Sequence, residues 1–211
     1  MENRYDKVFG IGLNKTGTKS LMSAFKLLGF KHKAYSPKLI NLFFQGRYDE
    51  VLRQTECYET FDDWPWPLMV PFLLAHFEDR ARFILTKRVS SSVWVESLKS
   101  HSDITCPRNN PRLGIYGHTF PHGKEKEHEC YYHRHLIEIR ELFKKNNKEH
   151  LLIELCWEES DGWIELCGHL DKPVPKVEFP YINAARNRKT FHPNIAINKR
   201  IRERNALVTT I

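Results

Sequence analysis

Glycine, lysine, threonine and serine are concentrated in one short run near the start of the chain, Gly12-Leu13-Asn14-Lys15-Thr16-Gly17-Thr18-Lys19-Ser20. The apolar segment Val8 to Ile11 enters it, and an amphipathic segment starting at Leu21 leaves it. Such a strand–turn–helix junction grips anions. The first N–H groups of a helix have no acceptor within the helix, and the aligned peptide dipoles place partial positive charge at the same end. Lys15 adds a full charge. The run therefore predicts a bound phosphate or sulfate group. Two further places supply complementary chemistry. Arg88 offers a planar fork of donors suited to a phosphate dianion. Asp62 and Asp63 offer carboxylates that could take a proton if partial burial raised their pKa.

The run is not a standard nucleoside-triphosphate loop, G-x-x-x-x-G-K-[ST]. Gly12 and Gly17 have the right separation, but Thr18 fills the lysine slot and Lys19-Ser20 come one residue late. The available lysine, Lys15, lies inside the turn.

These residues need elements to hold them. Lys7 to Ile11 reads as a first strand. Leu21, Ala24, Phe25 and Leu28 recur at helical spacing, with Gly29 as the stop. Short helices are predicted over 37–44 and 48–53, on either side of Gly46. Cys57 to Phe61 reads as a second strand, 68–77 as an apolar helix, Arg82 to Thr86 as a buried strand and 90–100 as a helix. Residues 101–126 read as a long irregular loop. Glu127 to Lys145 follows as a helix with Tyr132, Leu136, Ile139 and Phe143 along its seam. A strand over 151–155, a helix over 162–170 and a proline-rich exit complete the pattern. Strands alternating with helices predict an α/β protein with a central parallel sheet flanked by helices. The Gly12–Ser20 loop, Asp62/Asp63 and Arg88 each follow a predicted strand, so they should gather at one edge of that sheet.

Bulk properties narrow the classes. The chain's 211 residues, 41% of them hydrophobic, suffice for one substantial core and argue against pervasive disorder. No apolar run approaches about 18 residues, and the polar start leads directly into the first strand, so neither a signal peptide nor a membrane anchor is expected. Five scattered cysteines fit free thiols in a reducing compartment, and a cytoplasmic location follows as the expectation. The net charge of +7 sits mainly at the end: residues 186–211 hold seven Lys/Arg against one Glu, a balance of +6 that leaves +1 for the rest. This basic tail could be a solvated end, could touch an anionic partner, or could close over an anionic cofactor.

The segment Lys15-Thr16-Gly17-Thr18 resembles the 5′-phosphosulfate loop of the P-loop sulfotransferases, Lys-[Ser/Thr]-Gly-Thr-[Thr/Ser], with Lys19 in place of the usual small residue. Asp63-Trp64-Pro65 resembles the family's acceptor-side motif. Phe83-Ile84-Leu85-Thr86-Lys87-Arg88 with Trp94-Val95-Glu96-Ser97 resembles its 3′-phosphate motif. Gly162-Trp163-Ile164-Glu165-Leu166-Cys167, Pro173-Val174-Pro175 and Phe179-Pro180-Tyr181-Ile182-Asn183 resemble its closing pattern. The resemblance covers residues 6–185 and implies a three-layer P-loop domain over 1–185 with a basic tail over 186–211. It also implies 3′-phosphoadenosine 5′-phosphosulfate (PAPS) as donor, adenosine 3′,5′-bisphosphate as product, and a hydroxyl or amine acceptor. Lys15 would neutralise the leaving oxygen, and the N–H groups from Thr16 to Lys19 would hold the 5′-phosphate, with Asn14 beside them. Thr18 and Ser20 would add hydroxyl donors. Arg88 and Ser97 would hold the 3′-phosphate. Arg88 and Ser97 stand nine residues apart where relatives have eight, so Ser90, Ser91 and Ser92 are alternatives. Asp63 stands where cytosolic relatives carry a catalytic histidine, which makes it the expected base; Asp62, His118 and His122 are the alternatives. Arg186, Arg188 and Lys189 follow the closing motif and could reach the 3′-phosphate.

Other readings compete. Asp63 could only cap a helix, and Arg88 could be a surface ion-pair residue. Trp64, Trp66, Trp94 and Trp163 read most simply as core or pocket wall. Cys106, His118, His122, His128, Cys130, His133 and His135 hint at a metal, but no paired short spacing supports a site, and no metal is expected. A nucleotide or small-molecule kinase using Asp62-Asp63 to hold magnesium is one functional alternative. A non-catalytic protein using its basic tail on nucleic acid is another. The favoured expectation is a polar, carbohydrate-like small molecule or glycan as acceptor, with neither nucleic acid nor membrane as partner.

Overall fold

The computed structural model describes residues 5–106, 110–182 and 192–208. The chain divides into two compact units, one formed by residues 1–89 and 135–182, the other by 90–134 and 183–211.

The first unit is built on a parallel sheet of five strands: β1 (Lys7–Gly10), β2 (His32–Lys33), β3 (Thr60–Phe61), β4 (Ala81–Thr86) and β5 (Leu152–Leu155), in the order β2-β3-β1-β4-β5. Register explains its core. Phe9 lies opposite Phe61 on one side and Phe83 on the other, so three phenylalanines form a row on one face. Their ring centroids are 4.9 and 5.7 Å apart. Trp66, Phe77 from α4 (Val70–Phe77) and Phe143 from the later part of α7 (Glu125–Lys145) pack on that row. Because side chains alternate along a strand, Val8 and Ile84 face the opposite side. There they meet Leu21, Ala24 and Phe25 of α1 (Thr18–Leu27) and Trp163 and Leu166 of α8 (Trp163–His169). Each fully buried side chain of this size contributes about 1.5–3 kcal/mol. The unit is thus helices, sheet, helices, the α/β architecture expected from the alternating pattern. Two short helices, α2 (Pro37–Phe44) and α3 (Tyr48–Leu52), bridge β2 to β3.

Three expectations need correction. The predicted second strand is the third, and it is only Thr60–Phe61; Arg53–Cys57 forms a tight 3-10 turn instead. The strand that precedes it, His32–Lys33, is too short for any periodicity to reveal. The supposed loop 101–126 is partly helical. It holds the end of α5 (Ser91–Ile104), all of α6 (Arg112–Tyr116) and the start of α7.

The second unit has its own core. Trp94 of α5 is fully buried, 5.1 Å from the Tyr132 ring and 5.8 Å from the Tyr116 ring. Most of the basic tail that is described is α9 (Pro193–Val208). The fully buried Asn198 donates from its amide nitrogen to the carbonyls of Ser102, Asp103 and Thr105, at 2.8–3.0 Å. These are carbonyls at the end of α5, where helix geometry leaves acceptors without intrahelical donors. Arg202 pairs with Asp103 on the same two helices.

Candidate active site

The order β3-β1-β4 places a topological switch at β1, since the chain leaves β1 for one side of the sheet and later returns to the other. Ligands on such sheets bind at the carboxyl ends of the strands flanking the switch. The loops after β1, β3 and β4 carry Lys15, Asp63 and Arg88 respectively.

The β1–α1 loop is tightly framed. Thr16 is buried; its hydroxyl donates to the Leu13 carbonyl at 2.6 Å and lies 2.7 Å from Thr86 Oγ1. The Thr16 N–H also turns to Leu13 O, at 3.3 Å. His135 donates from Nε2 to the Ile11 carbonyl at 2.9 Å, and burial holds its pKa below the usual histidine range. Lys15 (φ 71°) and Gly17 (φ 100°) both adopt left-handed backbone. A side chain at Gly12 would overlap Thr86, and one at Gly17 would overlap the Trp157 indole. Trp157 donates from Nε1 to Gly17 O at 3.2 Å and packs against Phe179 in a tilted pair, ring centroids 4.7 Å apart.

α1 opens at Gly17 without a side-chain cap, and Ser20 and Leu21 make the first helical bonds back to Gly17 O. The N–H groups of Thr18 and Lys19 precede those bonds and by geometry have no acceptor within the helix. Asn14 is buried, Lys15 and Thr18 are partly buried, and Lys19 is exposed. Ser20 is buried, and its Oγ accepts from the Ile182 N–H at 2.9 Å. The closing motif thereby returns to the loop: Tyr181 donates to Asp161 O at 3.1 Å, and Phe179 packs between Trp157 and Trp163. Asn183, at its end, lies outside the described residues, as do Arg186, Arg188 and Lys189.

Arg88 donates from Nη1 to the Lys15 carbonyl oxygen at 3.4 Å. Its Nη2 pairs with Glu158 Oε1 at 2.5 Å, and Glu158 Oε2 accepts from the Val89 N–H at 3.0 Å. Arg88 is therefore tied to the β1–α1 loop. Ser97 lies on α5, partly buried, in the second unit. In the same unit Ser90 caps α5 by accepting from the Val93 N–H at 3.2 Å, and its hydroxyl lies 2.9 Å from that of Ser92.

Asp63 also has left-handed backbone (φ 61°), and its Oδ1 accepts from the Trp64 N–H at 2.8 Å. Burial, and then the charge of Asp62, push its carboxyl up to about 7; the Trp64 N–H and the Lys15 ammonium oppose the rise. Lys15 and Asp63 therefore share one electrostatic environment. Asp62 is 2% exposed and lies 3.3 Å from Nε2 of His32, on β2, so it faces a buried histidine. Trp64 and Trp66 are buried, as core or pocket wall requires.

His118 and His122, the imidazole alternatives for the base, lie in the second unit between α6 and α7. His122 is 3.6 Å from Asp103, and burial lowers its pKa. His128 is buried and bonded to the Lys124 carbonyl. Among the described residues no group of three or more His, Cys, Asp or Glu is placed to hold a metal. Nor is any helix there long and apolar enough to cross a membrane.

Sequence reasoning missed His32, Trp157 and Glu158, and it placed Thr86 only within the 3′-phosphate motif and His135 only among the hints of a metal. For Trp157 and Glu158 a signal existed: they directly follow β5, the strand beside β4, and so fall at the same carboxyl edge.

A family model described as a sulfotransferase domain matches residues 7–113 and 105–188. The chain belongs to that sulfotransferase family, and transfer of a sulfuryl group is its class of activity. Among curated proteins, "Ava biosynthesis cluster protein M" of Aspergillus versicolor is 28% identical over 233 aligned residues, which span 88% of this chain and 85% of that protein.

Proposed function

We propose that the protein transfers a sulfuryl group from PAPS to a hydroxyl or amine of a small polar molecule, with Lys15 and Arg88 on the donor and Asp63 as base. What supports the reading most directly is the hydrogen bond from Arg88 to the Lys15 carbonyl. It joins a lysine-bearing helix start and a guanidinium fork on one edge, the two cationic groups that a doubly phosphorylated nucleoside requires. The donor set also fits: uncapped N–H groups at the start of α1, one ammonium, one guanidinium and the Thr18 hydroxyl, all suited to phosphate oxygens.

When bound, PAPS supplies the sulfuryl group, which passes to the acceptor oxygen or nitrogen as its bond to the 5′-phosphate breaks. Lys15 neutralises negative charge growing on the phosphate side. Each preorganised donor of this kind is worth roughly 3–4 kcal/mol of barrier. The N–H groups of Gly17, Thr18 and Lys19 hold the 5′-phosphate. Arg88 takes the 3′-phosphate; to do so it exchanges its pairing with Glu158 for the ligand. Ser97, with Ser90, Ser91 and Ser92 as alternatives, is the proposed hydroxyl donor to a 3′-phosphate. Asp63, with a pKa near neutrality, accepts the acceptor's proton. Residues 1–185 form the catalytic domain in this reading, and 186–211 its basic extension.

The test is ligand-dependent thermal stability. Adenosine 3′,5′-bisphosphate without metal should raise the melting temperature, and ATP with magnesium should not. The reverse preference would return the kinase reading.

A further inference from the structure

Beside Asp63 lies a buried couple for which the proposed reaction has given no role. His32 and Asp62 have side chains each 2% exposed, with Nε2 3.3 Å from Oδ1. His32 comes from β2 and Asp62 follows β3; the parallel pairing of these strands, His32 with Thr60 and Lys33 with Phe61, brings them together. On its other side His32 Nδ1 lies 3.0 Å from Thr60 Oγ1, and its ring packs 5.5 Å from that of Phe25. A threonine hydroxyl donating to Nδ1 leaves the ring proton on Nε2, the nitrogen 3.3 Å from Asp62 Oδ1. A carboxylate this deeply buried is costly to ionise without a partner, and His32 supplies one.

Asp63, in left-handed backbone, is partly buried, whereas Asp62 is 2% exposed. We infer that His32 is a positioning residue for the proposed base: it keeps Asp62 ionised inside the sheet, and the fixed negative charge of Asp62 keeps Asp63 able to accept a proton. This deepens the proposed function and rests on its assignment of Asp63.

The charged surroundings are few and named. Burial pushes the Asp62 carboxyl above its ordinary value, and His32 from β2 and, more weakly, Lys26 from α1 oppose the rise. Asp63 faces Asp62, the Lys15 ammonium from the β1–α1 loop, and Tyr35 from the segment after β2. The sign follows. With Asp62 ionised, a second carboxylate one residue away is disfavoured, and Asp63 holds its proton to higher pH. Without His32, buried Asp62 takes up a proton itself, the repulsion vanishes, and Asp63 becomes the more acidic group. Burial is the larger influence on Asp63, so its titration should fall and not collapse to the ordinary carboxylate value.

The experiment is a carbon-13 NMR titration of the aspartate side-chain carboxyls in the full chain without ligand. The Asp63 signal is assigned by its loss in Asp63→Asn. His32→Asn keeps a group near Thr60 but cannot reach Asp62, whereas His32→Gln keeps a donor at the Nε2 position. The Asp63 midpoint should drop in His32→Asn and in Asp62→Asn, and should return close to wild type in His32→Gln. Both contact-breaking variants read the same shift, so failure of one to fold leaves the other. An unchanged midpoint in the folded variants overturns the inference; so does an equal drop in His32→Gln and His32→Asn, because a packing role alone would give it. The base assignment is judged separately, by transfer of labelled sulfate from PAPS to a panel of phenolic and sugar hydroxyls. Normal turnover by Asp63→Asn removes that assignment, whatever the titration gives.

Discussion

Gly17→Ala should destabilise the protein by about 3 kcal/mol and abolish nucleotide binding. The size can be built from the structure. Gly17 has φ 100°, and a β-carbon in left-handed backbone costs about 1–2 kcal/mol. That carbon would also overlap the Trp157 indole, which must swing aside. Trp157 then loses its bond to Gly17 O, worth about 1 kcal/mol, and its packing against Phe179, worth about 0.5–1.5 kcal/mol. Gly29→Ala is the control, since Gly29 has φ 82° and open space where its β-carbon would go. It should show the backbone cost alone. The gap between the two variants, about 2 kcal/mol, corresponds to roughly 4–8 °C in melting temperature for a chain of this length. Urea unfolding measures it directly. In Gly17→Ala/Trp157→Ala the alanine should cost no more than at Gly29, a non-additivity that isolates the indole contact. If Gly17→Ala melts with Gly29→Ala, the frame assigned to Trp157 is wrong. Adenosine 3′,5′-bisphosphate should still stabilise Gly29→Ala, which leaves the loop intact.

Lys15→Ala should leave folding unchanged but reduce sulfuryl transfer from PAPS at least 100-fold, the loss expected for one preorganised donor; a folded variant with normal turnover would exclude Lys15 from the chemistry. Arg88→Ala should weaken adenosine 3′,5′-bisphosphate far more than adenosine 5′-phosphate in calorimetric titration, and equal losses would remove Arg88 from the 3′ site. Asp63 binds its proton more tightly in the folded state than in the unfolded chain, so its contribution to stability is present at low pH and lost as pH rises from the ordinary value of 3.8 to about 7. Asp63→Asn, which can still accept from the Trp64 N–H, should therefore be more stable than wild type in urea at pH 8 and equal to it near pH 4. Asn198→Asp should destabilise more than Asn198→Ala in thermal melts, because it turns a carboxylate toward the carbonyls of Ser102, Asp103 and Thr105; equal melting would show that α9 is not held there.

The sheet was legible where its strands were long and apolar. Val8-Phe9 and Phe83-Ile84-Leu85 announce buried strands, and the loops between them announce their chemistry. β2 and β3 were not legible in the same way. Each is two residues long, and His32-Lys33 is polar, so only pairing with Thr60 and Phe61 makes it a strand. His32 was lost with it, and the partner of Asp62 was lost too. Helix α9 escaped for a different reason. Its central buried residue is Asn198, a polar side chain that satisfies helix-end carbonyls, so the apolar periodicity that identifies helices is absent. The loop residues themselves were readable by type, yet their division of labour was not. Thr16 looks like a ligand donor in sequence, but its hydroxyl and N–H both close the turn onto Leu13.

The strand order gives the proposed reaction its direction. In-line transfer puts the attacking and leaving atoms on opposite sides of the moving group, so a base and a cation that serves the leaving oxygen must also stand on opposite sides. In this sheet they are carried by the loops of two neighbouring strands, Asp63 after β3 and Lys15 after β1. The acids follow β3, the arginine follows β4, and the lysine-bearing loop rises between them. Adjacent strands are about 4.8 Å apart, so the two flanking loops begin roughly 10 Å from one another. That span separates the proposed base from the proposed 3′-phosphate donor, with the Lys15 loop between them. It also places Lys15 near enough to temper Asp63 electrostatically, while the same loop offers its carbonyl to Arg88. Exchanging the chemistry of the two flanks, with a cation after β3 and an acid after β4, would put an acid where the 3′-phosphate is proposed to sit and a cation where the proton is to be accepted. The transfer assigned to this edge therefore depends on which strand each residue follows as much as on which residues are present.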